Sequence, residues 1–247
     1  MSTMTEKSQD KNKTSNSDST KENKPVEALT GGDKTGGGQL PPWPSPLPIA
    51  HKNFVHSTPK PSTTRGGNAL EPPPYQKFNV FTAGSIEMGD AIDWQPLMAA
   101  RLSHLPITVC NPRRPKPYNW NPALANVPDD TDAKLTPLQA QIDWELDALE
   151  QATVICFFFD VWTKSPVSLL ELGLWASSKK LVVCCGQSYH KSGNVKRTCE
   201  RYNIPFVETF EQLVGKVEDK LAEKGMKLDS NGDLIGPNVH ETKEKPH

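Results

Sequence analysis

Between residues 78 and 223, short apolar runs alternate with longer stretches in which apolar residues recur every three or four positions. The short runs are rich in β-branched and aromatic residues, as buried strands are, and they lie at 78–83, 107–110, 154–159, 181–185 and 205–207. The longer stretches predict helices at 90–102, 137–151, 166–175 and 210–223, and the polar stretch at 186–196 predicts a loop. This alternation predicts an α/β fold, a doubly wound, flavodoxin-like or Rossmann-like parallel sheet of five strands. The first and third predicted strands would flank the switch point, where such sheets bind ligands.

The most apolar segment, residues 153–177, carries a single carboxylate in its helical half. Ser165 fits the N-cap position and Pro166 the first position of the helix. Apolar residues lie on nearly every side of this helix, so it is predicted to be buried. Glu171, in its middle, would cost several kcal/mol there unless it is paired, hydrogen-bonded or protonated.

Two roles are open for Glu171 from the residues alone. Ser168 and Glu171 fit the S-x-x-E pattern of a capping box, in which the carboxylate satisfies backbone donors. Alternatively, Ser165 is the cap, and the side chain of Glu171 tilts back toward the start of the helix. That position lies near the carboxyl end of a parallel strand, where open sheets bind their ligands.

The N-terminal third of the chain differs from the rest in composition. Residues 1–76 are mainly Ser, Thr, Lys, Asn, Gly and Pro, which cannot bury enough surface to offset the entropy of ordering, so this tail is predicted to be disordered. Its proline-rich part, 40–74, fits a spacer better than a ligand of a proline-binding domain. One α/β domain is predicted at 77–225, followed by a polar tail at 226–247.

Charge and cysteine content narrow the function classes. A net charge of −1 gives no electrostatic case for binding a nucleic acid polymer or a membrane. Residues 1–24 lack the apolar core of a signal peptide, and no stretch approaches the ~18 apolar residues of a membrane span. The five cysteines include no C-x-x-C pair, which disfavours zinc and indicates a reduced, cytoplasmic protein. The pattern G-x-G-x-x-G is absent, so no nicotinamide cofactor is expected.

Polar residues that could bind a ligand follow the predicted strands. Gly84, Ser85, Ile86 and Gly89 follow the first strand, and a glycine there lets a ligand approach the backbone or simply makes a turn. The segment 111–114, Asn-Pro-Arg-Arg, follows the second strand, where its arginines could receive an anion or be a solvated loop. The long Pro- and Asn-rich segment 115–136 has the length of a functional lid.

Taken in order, four motifs make the sequence resemble the nucleoside 2-deoxyribosyltransferase-like family. They are Ala83-Gly84-Ser85-Ile86 with Gly89, Asn111-Pro112-Arg113-Arg114, Gln141-Ile142-Asp143-Trp144-Glu145 and Glu171-Leu172-Gly173. The resemblance covers roughly residues 77–211 and none of the N-terminal tail. It implies an enzyme of nucleotide metabolism, either a transferase or a hydrolase (N-glycosidase), that acts without a cofactor on a small nucleoside or nucleotide.

The resemblance assigns roles to two glutamates. Glu171 matches the family's nucleophile, which attacks C1′ of a 2-deoxyribosyl group and forms a covalent glycosyl-enzyme. A second acid is needed to protonate the leaving base, and Glu145 stands where the family usually has an aspartate. Asp143 and Asp147 are alternatives, and Glu145 could also be an ordinary surface residue.

The resemblance also implies a set of substrate-binding residues. Ser165 stands where the transferases carry an aspartate, and a serine there is similar to the branch that hydrolyses deoxynucleoside 5′-monophosphates. Ser85, Ser165 and Arg113 would then hold phosphate or sugar oxygens. In the family a neighbouring subunit often completes the site with an asparagine, for which Asn194 is the candidate in a possible homo-oligomer. The full set of substrate-binding candidates is Gly84, Ser85, Ile86, Gly89, Asp93, Asn111, Arg113, Ser165 and Asn194.

Two other classes of function stay open beside an enzyme. The departures at Glu145 and Ser165 fit a nucleotide-binding or sensing module that has lost catalysis. The proline-rich tail fits an interaction protein whose folded domain serves only as a scaffold.

Overall fold

The computed structural model describes residues 40, 51–57, 72–87, 91–114 and 137–241. Within this part of the chain, six strands form one parallel sheet in the order β1-β3-β2-β4-β5-β6. The strands are β1 (Phe54–His56), β2 (Asn79–Gly84), β3 (Thr108–Asn111), β4 (Val154–Phe159), β5 (Leu181–Cys185) and β6 (Phe206–Val207). The five predicted strands are present in the predicted flavodoxin-like order, and β1 adds a sixth beside β3.

Helices cover both faces of the sheet, as a doubly wound fold requires. They are α1 (Trp94–Arg101), α2 (Pro137–Gln151), α3 (Pro166–Trp175), α4 (Ser192–Tyr202) and α5 (Phe210–Glu223), and a short 3-10 turn (Ala176–Ser178) follows α3. Side chains of α1 and α5 belong to the apolar cluster on one face, and side chains of α2, α3 and α4 to the cluster on the other. The predicted α/β fold class is confirmed.

The central strand β4 shows why its sequence is apolar without interruption. Phe157 and Phe159 point into the cluster under α2, α3 and α4, where their rings stack at 5.8 Å. Phe158 points to the opposite cluster and lies 5.2 Å from the ring of Trp94. Because successive side chains of a strand alternate between faces, a strand covered on both faces must be apolar at every position.

Three predictions about where strands and helices lie were wrong, and two of the errors have a clear physical reason. Strand β1 lies inside the segment predicted to be disordered, and it was missed because three half-buried residues at a sheet edge carry almost no periodic signal. Helix α4 begins inside a predicted loop, at Ser192, and it was missed because only Val195 and Cys199 of this polar helix are buried. Helix α1 begins at Trp94 rather than at residue 90. The rest of the predicted tail, apart from 40, 51–57 and 72–76, and the predicted lid at 115–136 lie outside the described residues.

The expectation that α3 is buried on all sides was also wrong. Leu172 is 3% exposed, but Val167, Leu170 and Leu174 each leave more than half of the side chain in solvent. Helix α2 also exposes apolar side chains: Ile142 and Leu146 lie in solvent, while Ala148 packs against the sheet. Tertiary position rather than hydrophobicity decides which side of each helix meets the sheet.

Gly84 closes β2 in a conformation that only glycine adopts easily. Its φ is +131°, and a Cβ at this position would overlap the backbone carbonyl oxygen of Phe158 on β4. The glycine predicted as a point of ligand approach is therefore required by the packing of the two central strands.

Two further predictions concerned the state of the cysteines and the presence of membrane-spanning segments. All five cysteines are free and buried. None of the described helices is both long and apolar enough to span a membrane.

Candidate functional site

The carboxyl ends of β2 and β4 bring three hydroxyl groups into one buried cluster. Ser85 Oγ lies 2.7 Å from both Thr163 Oγ1 and Ser165 Oγ, and the last two atoms are 2.8 Å apart. The backbone N–H of Asp160 donates to Ser85 Oγ at 2.9 Å, and Thr163 Oγ1 donates to the carbonyl of Asp160 at 2.9 Å. This hydroxyl cluster (Ser85, Thr163 and Ser165) ties the loop after β2 to the loop after β4.

The carboxylate of Glu87 occupies the entry to α3. Its Oε2 accepts hydrogen bonds from the backbone N–H groups of Lys164 and Ser165, both at 3.1 Å. The hydroxyl of Tyr189 donates to the carbonyl of Lys164 at 2.7 Å, which fixes the same peptide from the other side. Glu87 and Ser165 both adopt positive φ, at 44° and 46°, so each pays a conformational cost to hold this arrangement.

Helix α3 places Glu171 above the end of β2. Ser165 is the N-cap and Pro166 follows it, as predicted, but the side chain of Ser165 makes no capping hydrogen bond. Ser168 Oγ donates to the carbonyl of Gly84 at 2.7 Å, so Ser168 is not the cap and the S-x-x-E capping box does not form. Glu171 lies one turn further along the same side of the helix and is 9% exposed.

Glu171 and Glu145 form a pair of like-charged groups in a poorly solvated site. Burial, and to a smaller extent the nearby charge of Glu145, raises the pKa of Glu171 to about 8. Burial likewise raises the pKa of Glu145 to about 7. Because ionising either group makes ionising the other harder, the pair retains a proton near neutral pH.

The surroundings of Glu145 oppose the effect of its burial. Gln141 Nε2 donates to Glu145 Oε1 at 2.6 Å, and the guanidinium of Arg114 attracts the carboxylate; both lower the pKa of Glu145. Among the predicted alternatives, Asp143 is exposed and Asp147 is half-buried. Glu145 is the acid of α2 that interacts with Glu171.

The predicted anion-binding residues after β3 are used to hold the loops together. Arg113 Nη1 donates to the carbonyls of Ala91 and Ile92 at 2.9 and 3.1 Å, and its Nε lies 3.6 Å from Asp93 Oδ1. Asn111 is buried, with its Oδ1 accepting from the N–H of Arg113 and its Nδ2 3.2 Å from His56 Nδ1.

The other predicted site residues fall into different places. Ile86 is half-buried beside the hydroxyl cluster, and its carbonyl accepts from the N–H of Ala91 at 3.2 Å. Asn194 is exposed near the start of α4, so a role for it in a neighbouring subunit stays a prediction. Gly89 lies outside the described residues.

Three residues of this site were not predicted. Asp160 is fully buried, and its Oδ1 accepts from the N–H of Trp162 at 3.1 Å and its Oδ2 from the N–H of Ile92 at 3.4 Å. Thr163 completes the hydroxyl cluster, and Glu87 covers the entry to α3. Their position directly after β2 or β4 was the available signal, since parallel strands gather such residues at one edge of the sheet.

The chemistry of the site is that of carboxyl and hydroxyl groups. Among the described residues, no group of three or more His, Cys, Asp or Glu side chains is arranged to hold a metal ion. A buried carboxylate with a second, protonatable carboxyl beside it can act as a nucleophile with a general acid.

A comparison with known protein families matches the part of the chain that contains this site. A search of the curated proteins finds no match. Residues 77–189 match the family described as "Nucleoside 2-deoxyribosyltransferase like", and this range runs from the start of β2 to Tyr189 and includes both glutamates. The resemblance carried by the four sequence motifs is thereby confirmed: over these residues the α/β domain is similar to the nucleoside 2-deoxyribosyltransferase-like family.

Proposed function

We propose that this protein transfers or hydrolyses the N-glycosidic bond of 2-deoxynucleosides or their 5′-monophosphates through a covalent glycosyl-glutamate. The match of residues 77–189 to a family of transferase-like enzymes supports an enzyme in general. The observation that carries the proposal is the buried Glu171 near the carboxyl end of β2, with the half-buried Glu145 of α2 close enough to raise its pKa. An unneutralised carboxylate in such a place costs stability, so its presence calls for a chemical reason.

In the proposed first step, a carboxylate oxygen of Glu171 forms a bond to C1′ as the bond between C1′ and the base nitrogen breaks. The electron pair of the broken bond goes to the base, and Glu145 gives the base a proton. In the second step, water or another base attacks C1′, Glu171 departs as a carboxylate, and the attacking group returns a proton to Glu145. A 2-deoxy sugar lacks an electron-withdrawing hydroxyl, so its cation-like transition state is easier to reach.

The reaction requires an ionised Glu171 and a protonated Glu145. In the protein alone, burial raises the pKa of both carboxyls, so the pair holds a proton near neutral pH. A sugar ring that gains positive charge beside Glu171 favours its ionised form, and a basic ring nitrogen beside Glu145 favours a proton there. The substrate itself therefore establishes the protonation states that the proposed chemistry needs.

The test is to incubate the full chain with each 2-deoxynucleoside and each 5′-monophosphate, with and without a free acceptor base, and to measure released or exchanged base. Glu171→Gln should lower the rate by ~1,000-fold or more, because glutamine cannot act as a nucleophile, and Glu145→Gln by ~100-fold or more. Intact mass spectrometry should find one deoxyribosyl group on the wild-type chain and none on Glu171→Gln.

A matched control is Glu218→Gln, which removes an exposed carboxylate of α5 on the opposite face of the sheet and should leave the rate unchanged. Equal rates for the wild type and Glu171→Gln would contradict the proposal. Calorimetric binding of nucleosides without base release from any of them would instead favour a nucleotide-binding module without catalysis.

A further inference from the structure

The side chain of Gln141 lies between two hydrogen-bond acceptors. Its Nε2 is 2.6 Å from Glu145 Oε1 and 3.5 Å from the backbone carbonyl oxygen of Pro112. A carbonyl oxygen only accepts hydrogen bonds, so the NH₂ group of the amide, and not its oxygen, must lie on this side. Gln141 and Glu145 are four residues apart on α2, a spacing that places both side chains on the same side of a helix. The amide is therefore oriented as a donor toward the carboxyl group of Glu145.

This contact distinguishes the two oxygens of Glu145. Oε1 accepts from Gln141, and within the described part of the chain no donor reaches Oε2. In a neutral carboxyl group the oxygen without the proton is the stronger acceptor, so the N–H of Gln141 favours a proton on the other oxygen. When Glu145 is protonated, its proton is therefore carried on Oε2.

The charged groups near Glu145 act on its charge without distinguishing its oxygens. Glu171 on α3 is a like charge, and Arg114 after β3 is an opposite charge. Burial raises the pKa of Glu145 to about 7, and the hydrogen bond from Gln141 lowers the pKa more than the attraction of Arg114 does. Of these three described neighbours, Gln141 is the one that hydrogen-bonds the carboxyl group, so it can fix both its orientation and its charge.

We infer that Gln141 is a positioning residue, which holds Glu145 so that the proton of this acid is carried on Oε2 and is delivered from there to the leaving base. The inference rests on the proposed function. In the first step the bond between Oε2 and its proton breaks, the electron pair stays on the carboxylate, and the base nitrogen gains the proton. In the second step the attacking water or base returns a proton to Oε2. Oε1 remains the acceptor of Gln141 throughout, and a carboxyl group fixed in this way presents one O–H to the substrate instead of rotating between two.

The kinetic test compares the wild type with Gln141→Met and Gln141→Leu, each alone and combined with Glu145→Gln. Both substitutions remove the donor, and methionine keeps the length of the side chain. Base release from 2-deoxynucleosides and their 5′-monophosphates gives kcat and KM across pH. We expect kcat to fall by ~10-fold or more with KM changed by less than ~2-fold, and the pH profile to move to higher pH by about 1 pH unit. Combined with Glu145→Gln, the same substitutions should change kcat by less than ~2-fold, because no proton is left to position.

A second measurement does not depend on turnover. NMR titration of the full chain, labelled with ¹³C at the glutamate carboxyl carbons, follows Glu145, whose signal is the one missing from Glu145→Gln. In Gln141→Met the titration midpoint of Glu145 should move to higher pH by about 1 pH unit, because the ionised form loses a hydrogen bond.

The matched control is Gln187→Met. Gln187 is exposed, and its Nε2 lies 3.1 Å from both carboxylate oxygens of Glu208, so this variant removes a glutamine–glutamate contact elsewhere on the surface. It should leave kcat, the pH profile and the midpoint of Glu145 unchanged.

The outcomes separate the inference from the proposed function. The inference is overturned, and the proposed function stands, if base is released but Gln141→Met keeps the wild-type rate, loses as much activity when combined with Glu145→Gln, or leaves the midpoint of Glu145 in place. If the wild type releases no base from any compound, the proposed function is overturned and the titration alone decides the inference. A midpoint at higher pH in Gln141→Met then supports the hold of Gln141 on Glu145, and an unchanged midpoint overturns it.

Discussion

At the scale of single residues, the site contains groups in unfavourable positions: a carboxyl group removed from water and backbone conformations that most residues avoid. Glu171 is a buried carboxyl group, Glu87 and Ser165 have positive φ, and Gly84 fits only because it lacks a Cβ. Each of these features costs folding free energy. Such costs concentrate at functional sites, and here they concentrate around the ends of β2 and β4.

The paired glutamates predict how stability depends on pH. Their folded pKa values lie above the ordinary value of 4.5, so the folded state keeps these protons to higher pH than the unfolded state does. Their favourable contribution is fully present below about pH 4.5 and is lost as the pH rises through about 7 to 8. Urea unfolding at several pH values should therefore show stability falling across this window.

The variant Glu171→Gln tests whether Glu171 causes this dependence of stability on pH. Glutamine stays neutral, so the variant should lose less stability on going to high pH and should exceed the wild type there by on the order of 2 kcal/mol. Glu218→Gln, an exposed glutamate of α5, should follow the wild-type curve. Parallel curves for the wild type and Glu171→Gln would show that Glu171 ionises with an ordinary pKa.

At the scale of elements, the position of helix α3 against the sheet, and not its composition, decides which of its sides is buried. Its sequence is apolar on nearly every side, yet only the side that carries Ser168, Glu171 and Leu172 meets the sheet. The hydrogen bond from Ser168 to the carbonyl of Gly84 fixes that rotation. A rotation of one residue, about 100°, would place Glu171 elsewhere and leave the site without its proposed nucleophile.

Two leucines of α3 test this orientation. Leu172→Ala should lower the free energy of unfolding by about 2–4 kcal/mol, because Leu172 is buried and its loss leaves a cavity. Leu170→Ala should change it by less than about 0.5 kcal/mol, because Leu170 is 63% exposed. Urea denaturation at constant pH measures both, and equal losses would mean that the helix faces the sheet differently.

At the scale of the whole molecule, the folded unit extends into the sequence that composition assigned to the tail. Strand β1 pairs in parallel with β3, and Ser57 Oγ donates to the carbonyl of Pro112 at 2.8 Å. Leu40 is buried in the same cluster as Trp94. A deletion that removes the whole predicted tail, 1–76, would therefore damage the domain as well as remove the proline-rich segment.

Two truncations test where the folded unit begins. Removing residues 1–57 should destabilise the domain by on the order of 2 kcal/mol, since it deletes β1 and Leu40. It should also promote association, because the edge of β3 loses its partner. Removing residues 1–39 keeps both features and should leave the unfolding midpoint unchanged. Equal stability of the two truncated chains would contradict a structural role for β1.

The sequence by itself determined the fold class, the five main strands, their order and the resemblance to the nucleoside 2-deoxyribosyltransferase-like family, because buried parallel strands are apolar at every position and the motifs lie at the strand ends. It also singled out Glu171, as a lone carboxylate in an apolar helix, and the resemblance to the family singled out Glu145. Only the tertiary structure excluded the capping box and brought Glu171 near Glu145. It also showed that Arg113 donates to backbone carbonyls and that Glu87 accepts hydrogen bonds at the start of α3. The physical reason is that a hydrogen bond between loops distant in the chain depends on rotation and backbone conformation, and neither leaves a pattern in the order of the residues.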